Sequence, residues 1–360
     1  MKYLYSLSLL LFLASCQKDK KKEIDHTKTD WAFYKLEGDV KNVTTKSWKV
    51  DGKLAKIKTE HEDMSSHDGD MNFGEDGMLI SEKFYLNNTP FEETNYKGRE
   101  KKQQTIQYIA NTPGIKTEYG WDKPGKNNTS ITRRNADNTQ IDRVEMKYQG
   151  NKLAEKKTFN SQNNPTDKIT YMYDSKGNVN EENIYLATEY VQYKTVNKYD
   201  KKNRKISEAR YDKNSKKLYE TVFKYEGDNL IKKYTLNEKG EIDYSEDFTH
   251  DKKGNVLTHL TFEKFDNSKT LDTYAYDEKG NKTIWDVSKN GKPFMKAIYT
   301  YDKNNNNTMI AVTDATGNEV DKREYVYEYD AKGNWTKRTT KIKGIPTYIA
   351  ERQISYFDEE

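Results

Sequence analysis

The chain holds one cysteine and six prolines in 360 residues, and only 33% of it is hydrophobic. A single thiol excludes an intramolecular disulfide and any zinc site built on several cysteines. Charged residues also reach 33%, and the mean hydropathy of -1.15 argues against a thick apolar interior. Net charge is scarce too: 62 basic against 58 acidic residues leave +4, which excludes an acidic tail protein and a strongly basic nucleic-acid binder. Aromatic residues, by contrast, are plentiful, with 28 Tyr, 12 Phe and 5 Trp. Disordered chains are poor in aromatics, so this one folds, with tyrosine as its main apolar material.

The N-terminus reads Met1-Lys2, then an apolar run from Leu4 to Leu13, then Leu13-Ala14-Ser15-Cys16. A positive start, a core of about ten residues and a small-residue exit make residues 1–15 a secretory signal peptide, well short of the ~20 residues a spanning helix needs. Leu-Ala-Ser-Cys resembles the bacterial lipobox. That resemblance implies that Cys16 is lipidated through a thioether and becomes the first mature residue, leaving no thiol for catalysis or metal binding. More than one acyl chain would hold the protein stably on a membrane. Residues 16–35 are then a polar tether, read as a solvated linker, with lysines also suited to anionic headgroups.

A repeat fills the remainder. Tyr-x-Tyr-Asp-x-Lys-Gly-Asn stands at Tyr171 to Asn178, and related copies follow at Tyr199-Asp200, Phe223 to Glu226, Phe248 to Asn255, Tyr274 to Asn281, Tyr299 to Asn306 and Tyr327 to Asn334. The acidic position falls at 174, 200, 226, 251, 277, 302 and 330, in steps of 25 to 28. Weaker copies continue the register back to Val50-Asp51-Gly52, giving about a dozen units over 36–360 as one domain. Each unit carries a second turn signal at its midpoint, such as Asn237-Glu238-Lys239-Gly240 or Lys289-Asn290-Gly291, so a turn arrives every ~13 residues.

Between turns the pattern alternates, with Tyr325, Tyr327 and Tyr329 set against Glu324, Glu328 and Asp330. Period two with aromatic and β-branched residues marks half-buried strands. Each unit is a β-hairpin, and the units predict an all-β antiparallel meander of about 24–26 strands. A sheet one layer thick buries at most half its side chains, which accounts for the polar composition. A ribbon of that many strands does not stay flat, so twist curls it into a spiral, a shell or a barrel-like wrap, aromatics inward.

Tyr-Asp-x-x-Gly-Asn within a hairpin period resembles the YD repeat of RHS and teneurin-type proteins, clearly from about Tyr148 onward. The chain is also similar to small YD-repeat lipoproteins of Bacteroidota-like bacteria. The resemblance implies a spiralling sheet, a cell-surface or secreted location, and binding or encapsulation in place of catalysis. It also implies structural roles for the turn residues: Tyr173, Tyr276, Tyr301 and Tyr329 pack inward, Asp174, Asp251, Asp277, Asp302 and Asp330 cap turns, and Gly177, Gly254, Gly280 and Gly333 take positive φ. Inward tyrosines are also a candidate stacking surface for sugars. The chain lacks an Asp-Pro for the RHS autoprotease core, which tells against toxin delivery.

Few constellations suggest chemistry. Glu60 to Asp76 holds seven acids and two histidines without a lysine or arginine. Asp68, Asp70, Asn72 and Asp76 match positions of a calcium loop, but Phe73 and Leu79 stand where glycine and the bidentate glutamate belong, so a solvated acidic loop is expected and no metal. Gly120 to Lys126 superficially spells a phosphate loop, yet Asn127 replaces the Ser or Thr and no helix follows. His61-Glu62 has no second histidine four residues on, His26, His250 and His259 are scattered, and no Gly-x-Ser-x-Gly occurs. The sequence therefore predicts no catalytic set and no cofactor. The expected protein is a lipid-anchored envelope protein, at the outer membrane on either its periplasmic or its surface side, binding a glycan or a protein and no nucleic acid. A polysaccharide hydrolase and an immunity or inhibitor protein are the alternatives.

Overall fold

The computed structural model describes residues 24–62 and 68–357, so the signal peptide and Cys16 lie outside the described residues. Strands β1 (Val40–Val50), β2 (Lys56–Thr59) and β3 (Asp68–Phe73) lead into a run of antiparallel hairpins that ends with β24 (Trp335–Ile342) and β25 (Ile345–Tyr356). The last strand returns to the first: Val43 pairs with Ile354 and Ser47 with Ala350. The other edge of β1 pairs with β3, Val43 opposite Met71. The expected meander therefore closes into a barrel of 24 strands. The short β2 is an added hairpin partner at the far end of β1, where Trp48 faces Thr59. Closure removes the unpaired edges that a long open ribbon would expose.

Period two assigns the two faces. Along β23 (Glu319–Tyr329), Tyr325 and Tyr327 share one face while Val326, 49% exposed, points to the other. The more occluded side of a closed sheet is its concave side, so the tyrosines line the interior. That interior is not close-packed throughout, since no residue from 106 to 194 is buried. Both faces carry ion pairs: Arg323 and Arg338 meet Glu62 on the tyrosine face, and Lys232–Asp247 and Lys296–Asp286 lie on the other.

Because strands alternate in direction, the turns from Phe73-Gly74 to Tyr329-Asp330 lie on one rim and the mid-unit turns on the opposite one, whereas Val50-Asp51-Gly52, read as the first copy, ends β1 on the mid-unit rim. The mid-unit turns at Asn290-Gly291 and Lys343-Gly344 are two-residue loops with both central φ positive, the geometry that matches strand twist.

The Tyr-Asp rim also holds a buried apolar cluster: Trp31, Leu36, Val40, Val43, Phe73, Leu79 and Tyr356. Here residues 24–35 are folded onto the rim, within the stretch 16–35 expected to be a polar tether. Residues 26–28 form a 3-10 turn and Asp30–Phe33 one turn of α-helix, started by Thr29, whose hydroxyl accepts from the Ala32 amide. Trp31 is fully buried, and its Nε1 donates to the Val40 carbonyl at 2.8 Å. The Asp30 carboxylate accepts from the amides of Leu79 and Arg99, satisfying donors at the rim. A single helical turn has no periodicity to read, so the sequence showed only a polar stretch here.

Candidate functional site

The Tyr-Asp turns come first because the sequence points to them. In the turn at Asp277, Oδ1 accepts from the amides of Lys279 and Asn281, and Oδ2 accepts from the Asn281 amide group at 2.9 Å. Asp174, Asp251 and Asp330 hold the same two backbone amides, and Asp302 holds those of Asn304 and Asn306. The asparagine side chain, then the backbone donors, keep the carboxyls of Asp174 and Asp277 below the usual carboxylate range. Gly177, Gly254, Gly280 and Gly333 have φ of 91°, 87°, 87° and 98°. Each closes a type I turn with a bulge, and Asn305 takes the same position with φ 62°.

The second tyrosine reaches back one unit. Tyr173 donates to the Leu153 carbonyl, Tyr276 to Val256 and Tyr301 to Lys282, at 2.8 to 2.9 Å. Tyr329 departs from this pattern and donates to Asp302 Oδ2. The polar atoms of these motifs are thus used within the shell, leaving little to offer a ligand.

The acidic segment is not wholly a loop. Asp68–Phe73 is strand β3, so alternation puts Asp68, Asp70 and Asn72 on one face of an extended chain, where they do not wrap an ion as a calcium loop does. Asp70 receives the hydroxyls of Thr44 and Tyr85. Asp68 is 2% exposed beside the equally buried His61, and burial raises its carboxyl pKa. Residues 63–67 lie outside the described residues, and no metal-holding cluster occurs among the described ones. Glu62 turns onto the tyrosine face, where Arg323, Tyr325, Arg338 and Thr340 all donate to its carboxylate. Burial, then the charge of Glu62, pushes the Tyr325 phenol well up.

The phosphate-loop look-alike is also accounted for by the hairpin. Trp121 takes the tyrosine position and donates to the Lys102 carbonyl, and Asp122 caps the turn. His259 stacks on Phe248, with ring centroids 4.6 Å apart, and His26 stacks on Trp31.

The arrangement that sequence reasoning missed lies where the helical turn meets the last strands. A cavity of about 510 Å³, within the range of small-molecule sites, is lined by Tyr34, Lys35, Glu37, Asn304, Tyr329, Trp335 and Arg352, among others. The Arg352 guanidinium lies over the Trp335 ring, 3.6 Å from its centroid. Its Nε is buried without a hydrogen-bond partner, and no carboxylate pairs with it among the described residues. Burial, then the nearby charge of Arg338, pushes its pKa down to about 9, which leaves it cationic at neutral pH. A neighbouring cavity beside Phe33 contains Arg99, but Asp30 and Glu100 already pair with that cation. No sequence signal separated Arg352 from the other 61 basic residues.

No protein-family model matches the chain, and no curated protein is similar to it in sequence. Among solved structures, it aligns with TcdB2-TccC3 lacking the hypervariable C-terminal region at TM-score 0.34 and 11% identity, over 82% of this chain and 19% of that one. The Photorhabdus luminescens Tc holotoxin pore, with a TccC3 mutation, aligns at 0.29 and 11%, over 83% and 20%. A porin-like protein from Bacteroides uniformis aligns at 0.22 and 7%, over 88% and 96%. The chain spans about a fifth of the length of the toxin chains. At such scores these likenesses say nothing about function.

Proposed function

We propose that this chain is a lipid-anchored cell-envelope protein whose closed YD-repeat shell works as a non-catalytic binding module, with a glycan as ligand. The observation that carries the reading is the cavity walled by Tyr329, Trp335 and Arg352 on a shell whose repeat motifs are otherwise internally satisfied. Aromatic faces suit the apolar side of a sugar ring, and amide and charged groups suit its hydroxyls. The anchor rests on the lipobox-like Leu-Ala-Ser-Cys alone. The chain enters the fold at Ile24, eight residues after Cys16, so a lipid on Cys16 would hold the Tyr-Asp rim within about 30 Å of the bilayer.

Two measurements test this. A glycan array run beside a hydrolysis assay should give binding without product. Product release would favour a polysaccharide hydrolase, and co-purification of one stoichiometric protein with no glycan bound would favour an inhibitor. Membrane fractionation should lose the protein on Cys16→Ala; retention would remove the lipid anchor.

A further inference from the structure

Building on the glycan reading, we infer that the cavity at Arg352 takes an acidic saccharide, a sugar bearing a ring carboxylate, with Arg352 as the residue that selects the carboxylate. The guanidinium is the feature that needs explaining. It is partly buried, lies on the face of Trp335, faces the like charge of Arg338, and has no carboxylate partner among the described residues. An unpaired cation in such a place is costly to the fold. Two buried carboxylates of this face are already engaged, Glu62 by Arg323 and Arg338 and Glu82 by the hydroxyls of Tyr34 and Tyr96. A ligand carboxylate is the missing counter-charge, and the planar guanidinium fork matches it in bidentate fashion.

The rest of the cavity argues for a sugar. Tyr329 and Trp335 line the cavity beside Arg352, and Asn304 supplies an amide for hydroxyls. Lys35 and Lys332 line the same space against a single acid, Glu37, so the lining is cationic overall. A neutral sugar would leave Arg352 as unpaired as before, and so would a purely apolar ligand. An inorganic anion would fill only a small part of about 510 Å³.

Calorimetry on the full chain in detergent tests this, with tetragalacturonic acid as the probe and two comparators: the same oligomer with its carboxyls reduced to hydroxymethyl groups, and inorganic phosphate. The expected result is binding of the uronate at least tenfold tighter than of either comparator, with Arg352→Gln abolishing the difference. Because the ligand comparison is made on the unaltered protein, it stands even if Arg352→Gln folds poorly, and Trp335→Phe offers a milder probe of the same wall. Equal affinity for uronate and reduced oligomer, or preference unchanged in a folded Arg352→Gln protein, would overturn the acidic-sugar assignment while leaving glycan binding intact. Phosphate binding as tightly as the uronate would overturn it as well. Failure to bind any oligosaccharide here and on the array would remove both readings.

Discussion

The hydroxyl of Tyr276 donates to the carbonyl of Val256, twenty residues earlier, at 2.9 Å. The same reach recurs at Tyr173 onto Leu153, Tyr199 onto Val179 and Tyr225 onto Lys205. Each tyrosine ties its own hairpin to the one before it, in addition to the strand ladder. In a wall one layer thick this contact substitutes for some of the cross-layer packing that a sandwich would have.

Tyr276→Phe keeps the ring and deletes only that bond. The expected cost is about 0.5–1.5 kcal/mol, because the Val256 carbonyl lies near the rim and water replaces the phenol in part. Denaturant unfolding with an unchanged m-value measures it. A cost near zero would mean that the tyrosine acts through its ring alone.

Gly280 has φ of 87° and no atom within 4 Å of the place where a Cβ would stand, so a side chain there is opposed only by backbone strain. Gly280→Ala should cost roughly 1–2 kcal/mol. Gly280→Asn should cost less, because Asn203 and Asn305 occupy the equivalent turn position with φ of 63° and 62°. Thermal melts of the two variants decide the order, and equal melting temperatures would refute the strain argument.

The same turns show how far the sequence could be read. Period two and the recurring Asp-x-x-Gly-Asn declared hairpins, and the copy spacing declared their number. The motif fades toward the N-terminus because its requirement is a residue that tolerates positive φ: Asn138 and Asn163 meet it at mid-unit turns, and Ser215 does so after Asp212. Closure was not legible, since it depends on twist summed over many strands and on the match between β1 and β25. The Arg352 cavity was not legible either. Its parts come from residues 34–37, 304–306 and 329–352, joined only when the last strand meets the first.

Trp31 is the anchor of the segment that covers the rim. Trp31→Ala should cost about 3–5 kcal/mol through lost burial and a residual cavity. It also frees the Val40 carbonyl at the start of the closing strand. Hydrogen exchange should show protection lost first in 24–36 and in the β1–β25 ladder. Global loss with no local order would mean that the rim segment is part of the folding unit itself.

Glu62 neutralises two arginines on the tyrosine face, and its own side chain is 4% exposed. Glu62→Gln leaves Arg323 and Arg338 facing each other without it. The arginine side chains remain more than a quarter exposed, so the loss should fall below the ~3–5 kcal/mol of a fully buried pair. High salt should restore part of the loss by screening the two cations. A melting temperature that does not respond to salt in the variant would contradict this.

Alkali should unfold the barrel through its tyrosines. Burial raises the phenols of Tyr34, Tyr96, Tyr325 and Tyr327 above the ordinary value of 10, and Tyr244, buried beside Glu246, is pushed up to about 12. A group whose folded pKa is raised contributes stability that is complete below the unfolded pKa and lost as pH rises through the folded one. Stability should therefore fall above about pH 10, as the unfolded phenols ionise first. Arg352 acts in the opposite sense: burial lowers its folded pKa to about 9, so it adds stability as pH rises above that value. One guanidinium does not offset several phenols, so the net slope is downward. The ultraviolet phenolate band followed beside circular dichroism provides the measurement. Most phenolate signal should appear together with loss of β-structure, and smooth ionisation near pH 10 with the fold intact would show that these tyrosines are not held by the barrel wall.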